Sequence, residues 1–162
     1  INIAPDLTQK AEIVQNAIAL MHHLDVDTPK VAVLSSVETV NPRIPSTIDA
    51  ACLHKMYERN QITGAIVDGP FAFDNAISRQ AALEKGFDSP VSGDADILLA
   101  PDLDAGNILS KNLEYLASAQ MAGIVMGAQA PIVLTSRSDP PGARTYSLAL
   151  AVILAHRPEI VD

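Results

Sequence analysis

The stretch VAVLSS, residues 31–36, is a run of four apolar residues that stops on two hydroxyls. A strand with one wet face alternates apolar and polar side chains, whereas a continuous apolar run of this length suits a strand buried on both faces. The same form returns at AIV (65–67) and ILLA (97–100), and again at IVM (124–126) and IVL (132–134). Helical patterns separate these runs. Together they predict an α/β chain: a mostly parallel sheet with helices on both faces.

Upstream of residue 31, Ile13, Ala17, Leu20 and Leu24 recur at helical spacing, and Asp6 with Gln9 three residues later has the form of a capping pair, so a helix is expected over 7–24. Downstream, a loop containing Pro42 and Pro45 leads to a second helix, expected to start at Ser46 as cap and to end near Asn60. Asp49 falls in its first turn, and Ile48, Cys52 and Met56 share its apolar face. After the strand at 65–67 a loop through Asp68, Gly69 and Pro70 is expected, then a helix over 75–85 closed by Gly86. Residues 87–94 form a loop. The strand at 97–100 precedes a helix over 107–121 that puts Leu109, Leu113 and Leu116 on one face ahead of Gly123. The closing segment, 145–155, is apolar on nearly every side, which suits a helix buried all round or buried in a partner.

With 48% hydrophobic residues in 162 and a mean hydropathy of +0.19, the chain has enough apolar side chains for one core and is not disordered. The 19 acids against 11 Lys and Arg give a net charge of -8, and no basic run offers a phosphodiester backbone a footprint, so nucleic acid is not an expected partner. The longest apolar stretch, 148–155, has eight residues against the about 20 that a bilayer-spanning helix needs, so no membrane partner is expected either. Cys52 is alone and forms no internal disulfide, and no basic segment precedes an apolar one at the start. The default expectation is a cytoplasmic protein. The chain begins at Ile1 rather than at methionine, which leaves it open as a segment of something longer.

Polar residues gather just after the apolar runs: Ser35 and Ser36, Asp68, Asp102, and Ser136 with Arg137. In open parallel sheets ligands bind outside the carboxyl ends of strands, so a site is expected there, although each residue reads as readily as a helix cap or a satisfied turn. Asp88, Asp94, Asp96, Asp102 and Asp104 lie between Lys85 and Lys111 with no intervening cation. Such acids either hold a hard cation or cap a strand and a helix start; the second reading is preferred because the spacing matches no metal-loop signature. His22 and His23 at a helix end, and isolated His54 and His156, have no partner at metal-ligand spacing and are expected at the surface. Cys52 is expected to pack rather than react. Neither a phosphate loop nor a dinucleotide fingerprint occurs. Arg137 beside a hydroxyl could hold a phosphate or carboxylate through paired hydrogen bonds, with an ordinary surface ion pair as the alternative.

Five blocks, NIAPDLTQKAEIVQNAI (2–18), LSSVETVNPRIPST (34–47), GAIVDGPFAFDNAIS (64–78), GDADILLAPDLDAGNIL (93–109) and GIVMGAQAPIVLTSR (123–137), resemble the phosphate acetyltransferase and phosphate butyryltransferase family, in order and over nearly the whole chain. The likeness is greatest to the butyryltransferase-like members, including those fused behind an enoyl-CoA hydratase domain. It implies an enzyme, a phosphate acyltransferase that exchanges an acyl group between coenzyme A and inorganic phosphate to give an acyl phosphate. It also implies a fold like that of isocitrate and isopropylmalate dehydrogenases, two α/β domains flanking a cleft. On that comparison residues 1–130 are the second, inner domain, and 131–162 return to a first domain whose N-terminal part lies outside the chain and would cover the apolar final helix.

The resemblance implies that Ser136 and Arg137 bind phosphate and neutralise the tetrahedral transition state. It places the base for the coenzyme A thiol at Asp139, in a stretch, SDPPGAR, that differs from the acetyl-specific pattern. Asp68, Asp74, Asn75, Asp102 and Asn107 match cleft positions of the family, with positioning or structural roles, and Ser35 and Ser36 fall where a contact to a coenzyme A phosphate or to pantetheine is expected. Acyl-CoA and phosphate are then substrates, no redox cofactor or metal is required, and a homodimer is implied. Two alternatives stay open: a noncatalytic or truncated dimerising module, and a metal-dependent dehydrogenase of the same fold.

Overall fold

Asp6 starts the first helix. Its carboxylate accepts the Gln9 backbone N–H at 2.8 Å, and the Gln9 side chain accepts the Asp6 N–H at 3.0 Å, so two otherwise orphaned donors are satisfied reciprocally. Helix α1 (Leu7–His23) follows and buries Lys10, Val14 and Ile18 at four-residue spacing. The computed structural model describes residues 2–136 and 140–156. After α1 come β1 (Lys30–Leu34), α2 (Pro45–Glu58), β2 (Ile66–Phe71), α3 (Phe73–Ile77), α4 (Arg79–Glu84) and β3 (Ile97–Leu99). The chain then continues through α5 (Leu103–Tyr115), β4 (Ile124–Val125), β5 (Ile132–Val133) and α6 (Pro141–His156).

The main sheet runs β2-β1-β3, with both neighbours parallel to β1. Val31 lies opposite Val67 on one side and Ile97 on the other. The central place of β1 is why its apolar run is uninterrupted. Val31 and Val33 face a core shared with Val14 and Ile18 of α1, Leu53 of α2 and Val67. Ala32 and Leu34 face the opposite layer, with Phe71, Ala76 and Val91, onto which Phe87 and Leu109 pack. Each fully buried Val or Ile contributes roughly 1.5–3 kcal/mol relative to exposure. The expected α/β class with a parallel sheet and helices on both faces is thus present.

Several boundaries differ from the sequence reading, each for a local reason. Helix α2 begins at Pro45, whose fixed φ and missing N–H suit a first helical position, so Ser46 is inside the helix and does not cap it. Its buried residues are Thr47, Ala50 and Leu53, while Ile48 is exposed and Cys52 half-buried. Strand β2 runs on through Asp68, Gly69 and Pro70 to Phe71, where a loop is expected from the turn-forming residues. Gly69 is required because a Cβ there would meet Val33 Cβ at 2.9 Å, so β2 approaches β1 too closely for a side chain. The single helix expected over 75–85 is broken at Ser78, whose hydroxyl accepts the Ala81 N–H at 3.2 Å and restarts the chain as α4. Helix α5 starts four residues early because Asp102 caps it, accepting the Ala105 N–H at 2.8 Å, and it ends at Tyr115 rather than 121.

Strands β4 and β5 pair antiparallel as a separate two-stranded ribbon and do not join the parallel sheet. Helix α6 is not enclosed within the described residues: Ala143 and Ser147 are buried, but Leu148 and Val152 are 59% and 57% exposed. Among the described residues no helix is long and apolar enough to cross a membrane.

One ion pair ties the α1–α2 layer together. Lys10, 6% exposed, reaches Asp49 at 2.6 Å. Removing one partner of a buried pair costs about 3–5 kcal/mol, and because Asp49 keeps contact with water we predict about 2–3 kcal/mol for Asp49→Ala in urea unfolding. An unchanged midpoint would show that Lys10 finds water without Asp49.

Candidate functional site

The carboxyl ends of β1 and β3 open into a cleft of about 360 Å³. Leu34, Ser35 and Ser36 come from the end of β1, Ser46 from the start of α2, Phe73 from α3, and Ala100, Pro101, Ala105 and Leu109 from the β3–α5 turn and helix. Ser35 is fixed twice: its N–H donates to the Phe71 carbonyl at 2.7 Å, and its hydroxyl lies 2.8 Å from that of Ser46. The loop that follows is anchored by buried Thr47, whose hydroxyl accepts the Asn41 N–H at 2.9 Å and lies 2.7 Å from the Ile44 carbonyl. The hydroxyls at the mouth of this cleft are therefore held by strand and helix, not by a free loop.

A second cleft, about 460 Å³, lies across the first turns of α5, where Asp102, Gly106, Asn107 and Ser110 face Leu98, Ala100 and the N-terminal Asn2 and Pro5. The structure thus gathers Ser35 with Ser36, and Asp102 with Asn107, in two clefts that share Ala100. Asp102 spends one oxygen on the helix cap, as the capping reading expects.

Asp68 does not project from a loop. Within β2 its carboxylate accepts the Ser89 hydroxyl at 2.5 Å and the Gly69 N–H at 2.8 Å, which clamps the 87–94 segment to the sheet. His54, isolated in the sequence, is brought beside it. The Nδ1 of His54 lies 2.9 Å from the Val67 carbonyl and 3.2 Å from Asp68, and its Nε2 lies 3.4 Å from Glu58. The Glu58 carboxyl is held below its ordinary value by the Lys55 hydrogen bond, then by the charge of Lys55. Glu58 stands one turn after His54 on α2, whereas the Asp68 contact crosses from helix to strand. His22, similarly, places Nε2 2.8 Å from the Gly64 carbonyl instead of standing free.

Asp74 is exposed on α3 and pairs with Lys85, whose Nζ lies 3.0 Å from one carboxylate oxygen and 2.9 Å from the other. Lys85 also reaches Glu38 at 3.6 Å, so it links α3 to the loop bordering the Ser35 cleft. Asn75 is fully buried, and neither polar atom of its amide has a hydrogen-bond partner among the described residues. The Asn75 carbonyl accepts the Gly93 N–H at 3.0 Å, and Gly93, at φ +69°, sits where a Cβ would come 2.2 Å from the Arg79 nitrogen. Ser136 is exposed, follows β5 and lines neither of the two clefts. Arg137 and Asp139 lie outside the described residues.

The acids between Lys85 and Lys111 disperse. Asp94 pairs with Lys30, whose hydrogen bond and then charge hold the carboxyl below its ordinary value, and Asp96 accepts the Lys30 N–H at 2.8 Å. Among the described residues no three His, Cys, Asp or Glu side chains gather as a metal-ligand set.

The family model for phosphate acetyl/butaryl transferase matches residues 1–152. The chain is 62% identical over 152 residues to phosphate acetyltransferase of Rickettsia typhi, covering 93% of this chain and 44% of that protein. It is 51% identical over 151 residues to a probable phosphate butyryltransferase of Bacillus subtilis, covering 93% of this chain and 50% of the relative. In structure it is similar to a branched-chain phosphotransacylase from Enterococcus faecalis, with a TM-score of 0.88 and 38% identity over 97% of this chain and 56% of the other. The chain spans about half the length of the curated relatives it matches.

The Lys85 hydrogen bond, opposed in part by burial and aided by the Lys85 charge, holds the Asp74 carboxyl below its ordinary 3.8. Because the folded value is the lower one, this link contributes stability above 3.8 and loses it as pH falls through the lowered value. A carbon-detected side-chain titration is expected to place the Asp74 midpoint below 3.8, and Lys85→Met is expected to return it toward 3.8. A midpoint indifferent to the substitution would remove Lys85 as the cause.

Proposed function

The chain belongs to the phosphate acetyl/butaryl transferase family, and from that premise we propose that the whole protein exchanges an acyl group between coenzyme A and inorganic phosphate. The reading rests on a match that runs through 152 residues and takes in every motif bordering the two clefts.

A phosphate oxygen attacks the thioester carbonyl, a tetrahedral oxyanion forms, and the carbon–sulfur bond breaks to release coenzyme A thiolate and acyl phosphate. Two anions, phosphate and oxyanion, then share one site and need fixed donors. Ser136 and Arg137 supply them, Arg137 through its planar pair of N–H groups. In the reverse direction the thiol must lose its proton, and with an ordinary thiol value near 8.5 it gains from a positioned base; Asp139 is assigned that role. Ser35, Ser36, Asp102 and Asn107 orient the thioester from the strand ends, while Asp68, Asp74 and Asn75 hold the surrounding segments in place. The chemistry transfers no electrons and calls for no redox cofactor or metal.

Under this reading the fold is of the isocitrate and isopropylmalate dehydrogenase type, residues 1–130 form the inner domain, and 131–162 return toward the other domain. The exposed apolar side of α6 is then covered by the part of the protein not contained in this chain. A cytoplasmic homodimer is the assembly proposed.

The test is phosphate-dependent release of coenzyme A from acetyl-CoA and butyryl-CoA by the full-length protein, with the isolated 162 residues expected to show little turnover. Arg137→Ala in the full-length protein is expected to raise the KM for phosphate sharply. Release independent of phosphate would overturn the reaction; unchanged phosphate kinetics in the variant would remove Arg137 from the site.

A further inference from the structure

The Ser35 cleft is lined by nine residues, none of them charged, and six are apolar: Leu34, Phe73, Ala100, Pro101, Ala105 and Leu109. At about 360 Å³ it is within the range of small-molecule pockets, which pair an apolar lining with a few placed polar groups. Here those groups are the Ser35 and Ser46 hydroxyls, 2.8 Å apart, with Ser36 beside them. A phosphate or nucleotide end is a poor occupant. No Lys or Arg lines the cleft, and the positive end of α5 is already answered by the Asp102 carboxylate. A short aliphatic chain ending in a carbonyl fits on both counts.

We propose that this cleft holds the acyl chain of the thioester, and that Ala105 and Leu109 set the chain length it accepts. The proposal rests on the transacylase reading above. Ala105 and Leu109 stand four residues apart on α5, hence on one face of the helix, and both line the cleft. Leu109 also packs on the core layer of Leu34 and Phe71, so the cleft floor is continuous with the core and rigid. Ala105, one turn earlier on the same helix face, presents only a methyl group to the cleft.

The discriminating quantity is the ratio of kcat/KM for butyryl-CoA to that for acetyl-CoA in the full-length protein at saturating phosphate. Butyryl carries two more methylenes than acetyl, and one methylene in an apolar pocket changes specificity about 10- to 200-fold. Ala105→Leu fills the cleft and is expected to lower the ratio about tenfold or more. Leu109→Ala deepens it and is expected to raise the ratio, and the ratio of dissociation constants for the two thioesters is expected to move the same way in each variant. Both ratios staying within twofold in both variants, with binding intact, would overturn the assignment and point to the pantetheine arm, whose contacts are common to every thioester. Absence of phosphate-dependent release in the unsubstituted protein would instead sink the transacylase reading itself, before any variant is made.

Discussion

The burial of β1 on both faces is the constraint from which the rest of the structure follows. A strand flanked by parallel neighbours and covered by two layers exposes no side chain to water along its length, so Lys30–Leu34 becomes apolar after its first residue. That run cannot continue past the layers that cover it. Where it ends, the chain turns polar at Ser35 and Ser36, and β2 and β3 run in the same direction beside it. The cleft at their carboxyl ends is the geometric consequence of parallel strands and the helices that connect them.

Helix starts then decide what the cleft contains. Pro45 begins α2 without a side-chain cap, which frees the Ser46 hydroxyl to meet Ser35. Asp102 caps α5, which turns Ala105 and Leu109 toward one cleft and places Asn107 in the other. Clamps outside the clefts hold this arrangement: Asp68 on Ser89, Lys85 between Asp74 and Glu38, and buried Lys10 on Asp49. None of these pairs is close in sequence, and each joins elements that the sheet alone would leave free to shift.

The class of fold was legible because apolar continuity at residues 31–34 and 97–99 reports two-sided burial directly, and because the Asp6 and Gln9 pair marks a helix start by its own chemistry. Turn-forming residues misled at Asp68, Gly69 and Pro70, where tertiary packing against Val33 keeps the chain extended. The ribbon of β4 and β5 was misassigned to the parallel sheet because two-residue apolar strands carry no sign of pairing direction. In the site, Ser35 and Ser36 were visible from their position after a strand, but Ser46 was read as a cap, and the apolar wall of Ala105 and Leu109 had no polar signature at all. His54 reads as an isolated surface histidine in sequence because its contact with Asp68 joins a helix to a strand.

The proposal that the thioester binds at these strand ends is tested most directly by hydrogen–deuterium exchange of the full-length protein with and without butyryl-CoA in phosphate-free buffer. The account predicts slowed exchange that includes residues 34–36, the first turn of α2 and residues 100–109. Protection elsewhere, with these segments exchanging at the same rate in the presence of butyryl-CoA, would contradict it.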